Sequence, residues 1–202
     1  DMTSSRGLGD VYKRQASIAT TETVDSLQNL AGTNAYTIVI SSADATGSTA
    51  AEFNTINALT TVNIDAGAIT ELSGTYDEVT ALYGSAGVDN LGDEAIFISD
   101  ALTVTQANGI ESLTTGVVTA SIATTETVDS LLNLAGTNAY TIVISSADAT
   151  ATASDLNMLN PKTTVNIDAS AITELSGTYA EVTILYGSAG VDNLGDEAIF
   201  IS

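Results

Sequence analysis

The same forty residues occur twice in this chain. Residues 60–99 return as residues 163–202 with three changes: Gly67 to Ser170, Asp77 to Ala180 and Ala81 to Ile184. Residues 16–46 return as residues 120–150 with only Gln28 replaced, by Leu132. Most of the chain is therefore one unit of 103 to 104 residues read twice, so whatever packing solves the first half must also solve the second.

Composition narrows what that packing can be. Aromatic residues make up 5% of the chain and hydrophobic residues 44%, so a core has to be assembled from Ala, Val, Ile and Leu in thin layers. Thin layers suit stacked repeats better than a thick globule. With no Cys and no His, the chain has no disulfides, no thiolate or imidazole metal ligands, no cysteine nucleophile and no triad with an imidazole base. These exclusions lead to the expectation that it is not an enzyme.

The charge is lopsided. The 25 acidic residues face four basic ones, and three of those four, Arg6, Lys13 and Arg14, lie before residue 16, leaving Lys162 alone in the remainder. Such a chain is not expected to hold nucleic acid or an anionic membrane surface, both of which need Lys and Arg clusters, and it attracts cations instead. No apolar run approaches the ~20 residues that span a bilayer. Residues 1–15 break the repeat, because residues 106–119, which precede Ala120, have no counterpart before Ala16. The string SSRGLGDVYKRQ at residues 4–15 resembles translated sequencing-adapter read-through, which implies a non-native or disordered and dispensable leader.

From Ala16 onward the long period divides into shorter units of ~26 residues, each a helical pattern, a Gly or polar turn and a β-rich run. All four units occur in the second copy. Thr103 and Gln106 have capping-box spacing, with Ile110 and Leu113 on one helical face and a strand at 117–122. Val128, Leu131 and Leu132 face inward in the second unit, Gly136 stops its helix, and a strand follows at 140–145. In the third, Thr152 and Asp155 cap a helix with Leu156 and Leu159 inward and Pro161 at its end. After a further apolar stretch at 171–177, Thr178 and Glu181 form the clearest capping box. Val182, Leu185 and Tyr186 are inward, Gly187 is the stop, and AIFIS is the last strand.

Three units fit residues 16–99 and four fit residues 100–202, the second array continuous with the first. The expected fold is an α/β repeat solenoid with leucine-rich-repeat-like stacking and a parallel sheet on one face. An all-β solenoid and a tandem of immunoglobulin-like sandwiches are the alternatives. The calcium β-roll nonapeptide is absent.

The motifs DLNMLN, TTVNID, ITELSGTYAEV and LGDEAIFISD together resemble the tandem repeats of very long secreted or surface proteins of marine bacteria, cyanobacteria among them. The resemblance covers residues 16–202. It implies an adhesin-like, extracellular or cell-surface setting, with the export signal outside this stretch, neighbouring repeats of the parent chain as partners, and a glycan or protein on a surface as ligand.

Few residues suggest chemistry. Asp89, Asn90, Asp93 and Glu94, repeated as Asp192, Asn193, Asp196 and Glu197, put hard oxygen ligands around a Gly within six residues. Calcium is the cofactor such ligands would suit, at six to eight oxygens per ion. The spacing is not that of an EF-hand, and DN with Gly is equally the composition of a solvated turn. Glu71 with Glu174, or Asp65 with Asp168, are carboxylates of the kind a glycosidase pairs at about 5 to 9 Å, but nothing in the sequence brings them together. Tyr36, Tyr76 and Tyr83, with their repeats Tyr140, Tyr179 and Tyr186, are the rings on which a sugar would stack, except that Tyr83 and Tyr186 fall on inward helical faces. The functional expectation is a structural spacer or adhesive stalk segment. A glycan- or protein-binding module using the sheet face, and a calcium-stabilised repeat, are the alternatives.

Overall fold

The computed structural model describes residues 15–202. The leader reading of residues 1–14 lies outside the described residues, whereas Gln15 opens a strand in register with Ala35.

The first copy contains β1 (Gln15–Ser17), α1 (Val24–Leu27), β2 (Ala35–Thr37), β3 (Ser48–Thr49), α2 (Ala50–Leu59), β4 (Ile64–Asp65), β5 (Glu71–Gly74), α3 (Tyr76–Tyr83), β6 (Val88–Asp89) and β7 (Ala95–Leu102). The second contains α4 (Val104–Glu111), β8 (Val118–Ile122), α5 (Val128–Leu131), β9 (Ala139–Thr141), β10 (Thr150–Thr152), α6 (Ala153–Leu159), β11 (Ile167–Asp168), β12 (Glu174–Gly177), α7 (Tyr179–Tyr186), β13 (Val191–Asp192) and β14 (Ala198–Ile201). Short 3-10 turns lie at Ser42–Asp44, Ser146–Asp148 and Asn160–Lys162.

The architecture is mixed α/β with small, open parallel sheets and seven α-helices among the described residues. One sheet has five strands in the order β3-β5-β7-β8-β9, another has β10-β12-β14, and the pairs β1-β2, β4-β6 and β11-β13 stand alone. Every pairing is parallel, and the partners lie 20 to 24 residues apart in sequence, as Ser48 with Leu72, Leu72 with Ile96 and Ile96 with Val118 illustrate. Parallel neighbours need a crossover connection, and here each crossover carries a helix. Isolated parallel bridges from Asn34 to Thr60, Val39 to Asp65, Asn138 to Thr163 and Val143 to Asp168 link the short pairs onward. Antiparallel sandwiches and an all-β fold are therefore not what this chain forms.

Helix starts are set by threonine. Thr49, Thr75, Thr103 and Thr178 each accept from the backbone N–H three residues on, while Glu52, Glu78, Gln106 and Glu181 reach back to the capping residue's own N–H. Asp155 is one methylene too short for that return bond, and its carboxylate accepts from the Thr152 hydroxyl at 2.7 Å instead. The buried helix residues recur three apart, as in Ala50, Phe53 and Ile56, in Val104, Ala107 and Ile110, and in Ala153, Leu156 and Leu159. They meet strand residues Leu72, Ile96, Val118 and Leu175 in one hydrophobic cluster.

The structure departs from the sequence reading in four places. The stretch at 71–74 and its repeat at 174–177, read as apolar lead-ins, are the strands β5 and β12, so these units carry two short strands each rather than one. The helix expected to stop at Gly136 ends at Leu131, and Gly136 takes a left-handed φ of 64° four residues after the cap. The strand expected at 140–145 is ordered in the ladder only at Ala139–Thr141 and a bridge at Val143. Tyr186, expected inward, is exposed, while its copy Tyr83 is half-buried.

One glycine decides how closely two units approach. A Cβ on Gly116 would stand 2.3 Å from the Glu94 carbonyl oxygen and 2.9 Å from the Ala95 nitrogen, both backbone atoms that cannot swing away. Gly116→Ala is therefore expected to destabilise the chain by about 1–3 kcal/mol, the usual cost of forcing a backbone shift in a packed interior. Chemical unfolding would measure it, and an unchanged midpoint would show that the two backbones have room to part.

Candidate functional site

The acidic turn between β6 and β7 occurs again between β13 and β14, and its four predicted residues do four different things. Asp89 pairs in register with Asp65 across β4-β6, as Asp192 does with Asp168 across β11-β13. Like charges directly opposite on adjacent strands repel, and asparagine donors offset that repulsion. The Asn63 side-chain amide donates to both Asp89 oxygens at 3.1 Å, and the Asn90 amide donates to Asp65 Oδ1 at 2.8 Å. Asn166 and Asn193 repeat the pattern on Asp192 and Asp168. Asn90 and Asn193 sit at φ 66° and 63°, a left-handed conformation that Asn tolerates better than most residues.

Glu94 turns inward. It is 1% exposed, and its Oε2 accepts from the Gly92 and Asp93 N–H groups at 2.8 and 3.2 Å. Glu197 accepts in the same way from Gly195 and Asp196. The remaining Oε1 of each is buried with no hydrogen-bond partner. Asp93 and Asp196 are exposed. Among the described residues no three carboxylates come together in a group that could hold a metal ion. The turn residues are spent on the turn itself: Glu94 and Glu197 satisfy its backbone donors, while Asp89 and Asp192 take the amides of the preceding unit.

The other candidates are also dispersed. Glu71 and Glu174 open β5 and β12, in different sheets, and Asp65 and Asp168 likewise belong to separate strand pairs. Tyr140 is fully buried; burial, with the nearby Glu111 charge, pushes its hydroxyl up to about 12, and a ring so placed cannot be a sugar platform. Tyr179 is the most exposed of the exposed large hydrophobic side chains. No described helix is long and apolar enough to cross a membrane.

What sequence reasoning missed is a set of side-chain ties between consecutive units. Asn54 and Asn157 donate to the Glu78 and Glu181 carbonyls at 3.0 Å, Asn57 and Asn160 to the Ser85 and Ser188 hydroxyls, and Asn108 both donates to the Asn133 carbonyl and accepts from the Ala135 N–H. Lys162, the one basic residue in the described part, donates to the Leu134 carbonyl at 2.8 Å. The signal in the sequence was Asn recurring inside helical stretches, where it is a poor helix former and needs another reason to be present.

Two predictions follow from this geometry. The Asn90 amide, then the Gly67 N–H, hold the Asp65 carboxyl below its ordinary value, and Asn193 and Ser170 do the same for Asp168. A depressed carboxyl contributes stability above its unfolded pKa of about 3.9 and loses it as the pH falls through the lower folded value. The double variant Asn90→Gly, Asn193→Gly keeps the left-handed backbone but removes both donors, so its acid-unfolding midpoint should move to higher pH. An unmoved midpoint would mean that the aspartates draw nothing from these amides. Separately, the stacked Asp pairs and the excess of acid should make sodium chloride raise the thermal midpoint as the Debye length shrinks from about 30 Å at 0.01 M to about 8 Å at 0.15 M. Calcium at matched ionic strength should add nothing further. Saturable calorimetric heat on calcium titration, lost in Asp93→Asn with Asp196→Asn, would establish the turns as ion sites. Compared with known protein families, with curated proteins and with solved structures, the chain matches none.

Proposed function

We propose that this chain is a structural spacer or adhesive stalk segment of a large extracellular repeat protein, built as a continuous solenoid of helix–strand units. The observation that carries the reading is β7. It runs from Ala95 to Leu102, through the boundary between the two sequence copies, and pairs with β5 of the first copy and β8 of the second. The copies are thus not two beads on a linker. A covalent spacer needs this continuity, because a flexible joint at each boundary would let the array collapse. Side chains that commonly bind or react with ligands are instead occupied in turns, caps and ties between units, as the Asn and Glu partners above illustrate.

The surface fits the role. An acidic exterior with little basic character keeps neighbouring chains apart by mutual repulsion, and the buried apolar side chains form one cluster. The test pairs shape with binding. Small-angle scattering of the full chain should give an elongated particle, and a glycan array with a partner pull-down should give no specific binding. A compact, near-spherical particle would remove the solenoid. Saturable glycan or protein binding abolished by Phe97→Ala, which removes an exposed sheet ring, would replace the spacer with a binding module.

A further inference from the structure

The duplicated forty residues allow a comparison within one molecule. In the first copy, α3 and β7 are covered by the next stretch of chain, residues 100–122, which forms the end of β7, α4 and β8. In the second copy, α7 and β14 carry nearly the same sequence, and no described residue takes the place of 100–122 over them. Ile96 is fully buried and Ile199 is 45% exposed; Ile98 is 7% exposed and Ile201 is 55% exposed. Val79 is buried and Val182 only half-buried. Two of the three changes between the copies, Asp77 to Ala180 and Ala81 to Ile184, fall at positions exposed in both, so the difference in burial at the isoleucines and valines is not a difference of sequence.

We propose that the face formed by α7 and β14 is a docking surface for one further helix–strand unit with the sequence of residues 100–122. The proposal rests on the stacked-unit reading above and names the occupant of its open end. The covered copy shows what that occupant supplies. Ile96 N–H donates to the Val117 carbonyl at 3.0 Å, and Thr115 N–H donates to the Gly92 carbonyl at 2.8 Å. The Thr114 hydroxyl donates to the Glu94 carbonyl at 2.6 Å, and Asp100 accepts from the Tyr76 N–H at 3.2 Å. The corresponding atoms at the open face are the Ile199 N–H, the Gly195 and Glu197 carbonyls and the Tyr179 N–H. A depression of about 390 Å³ lined by Ser170, Asn193, Leu194, Gly195 and Asp196 marks the place. At the equivalent Gly92, the Leu113 carbonyl of the covering segment lies 3.8 Å from where a Cβ would stand, whereas nothing lies within 4 Å at Gly195.

A second copy of this chain is a poorer occupant. Its β1 repeats part of β8, but the residues before Ala16 are unrelated to residues 106–119, so the donors and the close-approach glycine at 114–117 are missing. The geometry thus favours a unit with Thr-Thr-Gly-Val leading into its strand, parallel to β14 and in register with Ile199 and Phe200, as Val118 and Thr119 are with Ile96 and Phe97.

The experiment appends a copy of residues 100–122 after Ser202 in the full chain and follows amide hydrogen exchange at Ile199, Phe200, Ile201 and along α7. Two companions carry the same appended segment scrambled, or with its copy of Gly116 changed to Ala. Protection of those amides should rise at least tenfold with the native segment and with neither companion. Equal protection by the scrambled segment, or none by the native one, would overturn the proposal. So would concentration-dependent protection of the same amides in the unextended chain, which would give the face to a second copy. An elongated particle that leaves the native segment unprotected would end the docking proposal alone and leave the solenoid standing.

Discussion

Most of the described strands in this protein are too short to exist without the strand one unit along. β4, β6, β11 and β13 contribute two residues each, and β3 is no longer. A strand of that length has no independent stability, and its backbone groups cost free energy if they are buried unpaired. Parallel pairing to the next unit satisfies them, and parallel pairing is available only if the chain returns to the same position after 20 to 26 residues. Unit length and the helix in each crossover follow from that return.

Repetition at this pitch puts like residues next to like. For Leu72, Ile96 and Val118 this is favourable, because apolar side chains in register form a continuous layer. For Asp65 over Asp89 it is not, and the remedy in both copies is an asparagine from each strand's own neighbourhood turned onto the other's carboxylate. Asparagine does similar work between helices, where Asn54 and Asn157 reach the carbonyls at the start of the next helix. A repeat built largely from Ala, Thr, Ser and Asn can thus hold its units together with side-chain amides where larger proteins would use bulky aromatic packing.

Helix starts were legible in the sequence, because a threonine cap and a glutamate or glutamine three residues later are local and act over one turn. Thr103 with Gln106 and Thr178 with Glu181 formed as read. Strands were harder. Glu71–Gly74 has one buried residue, Leu72, and no alternation long enough to announce itself; it is a strand because Ser48 and Ala95 stand on either side of it, and that is knowledge of the neighbours. The exposure of Tyr186 was likewise beyond a local reading, since the copy of that ring is half-buried where another unit lies beside it. At the candidate site the sequence placed the acidic residues at a turn, which lies between two strands. It could not show that Glu94 points inward to the turn's own amides, a matter of side-chain direction rather than composition.

The direction of the ladder hydrogen bonds has a mechanical consequence. They run from unit to unit, and in the proposed stalk they would lie along the line of pull rather than across it. Tension on the two ends of such a stack would pass through every interface in series, and the weakest would open first, its bonds parting like a zipper instead of shearing together. Each unit that peels away frees about 24 residues, the offset between Glu71 and Ala95, or about 80 Å of extended chain at 3.3–3.6 Å per residue. If the chain is the stalk proposed above, it would yield in many small steps under load and limit the peak force it passes on.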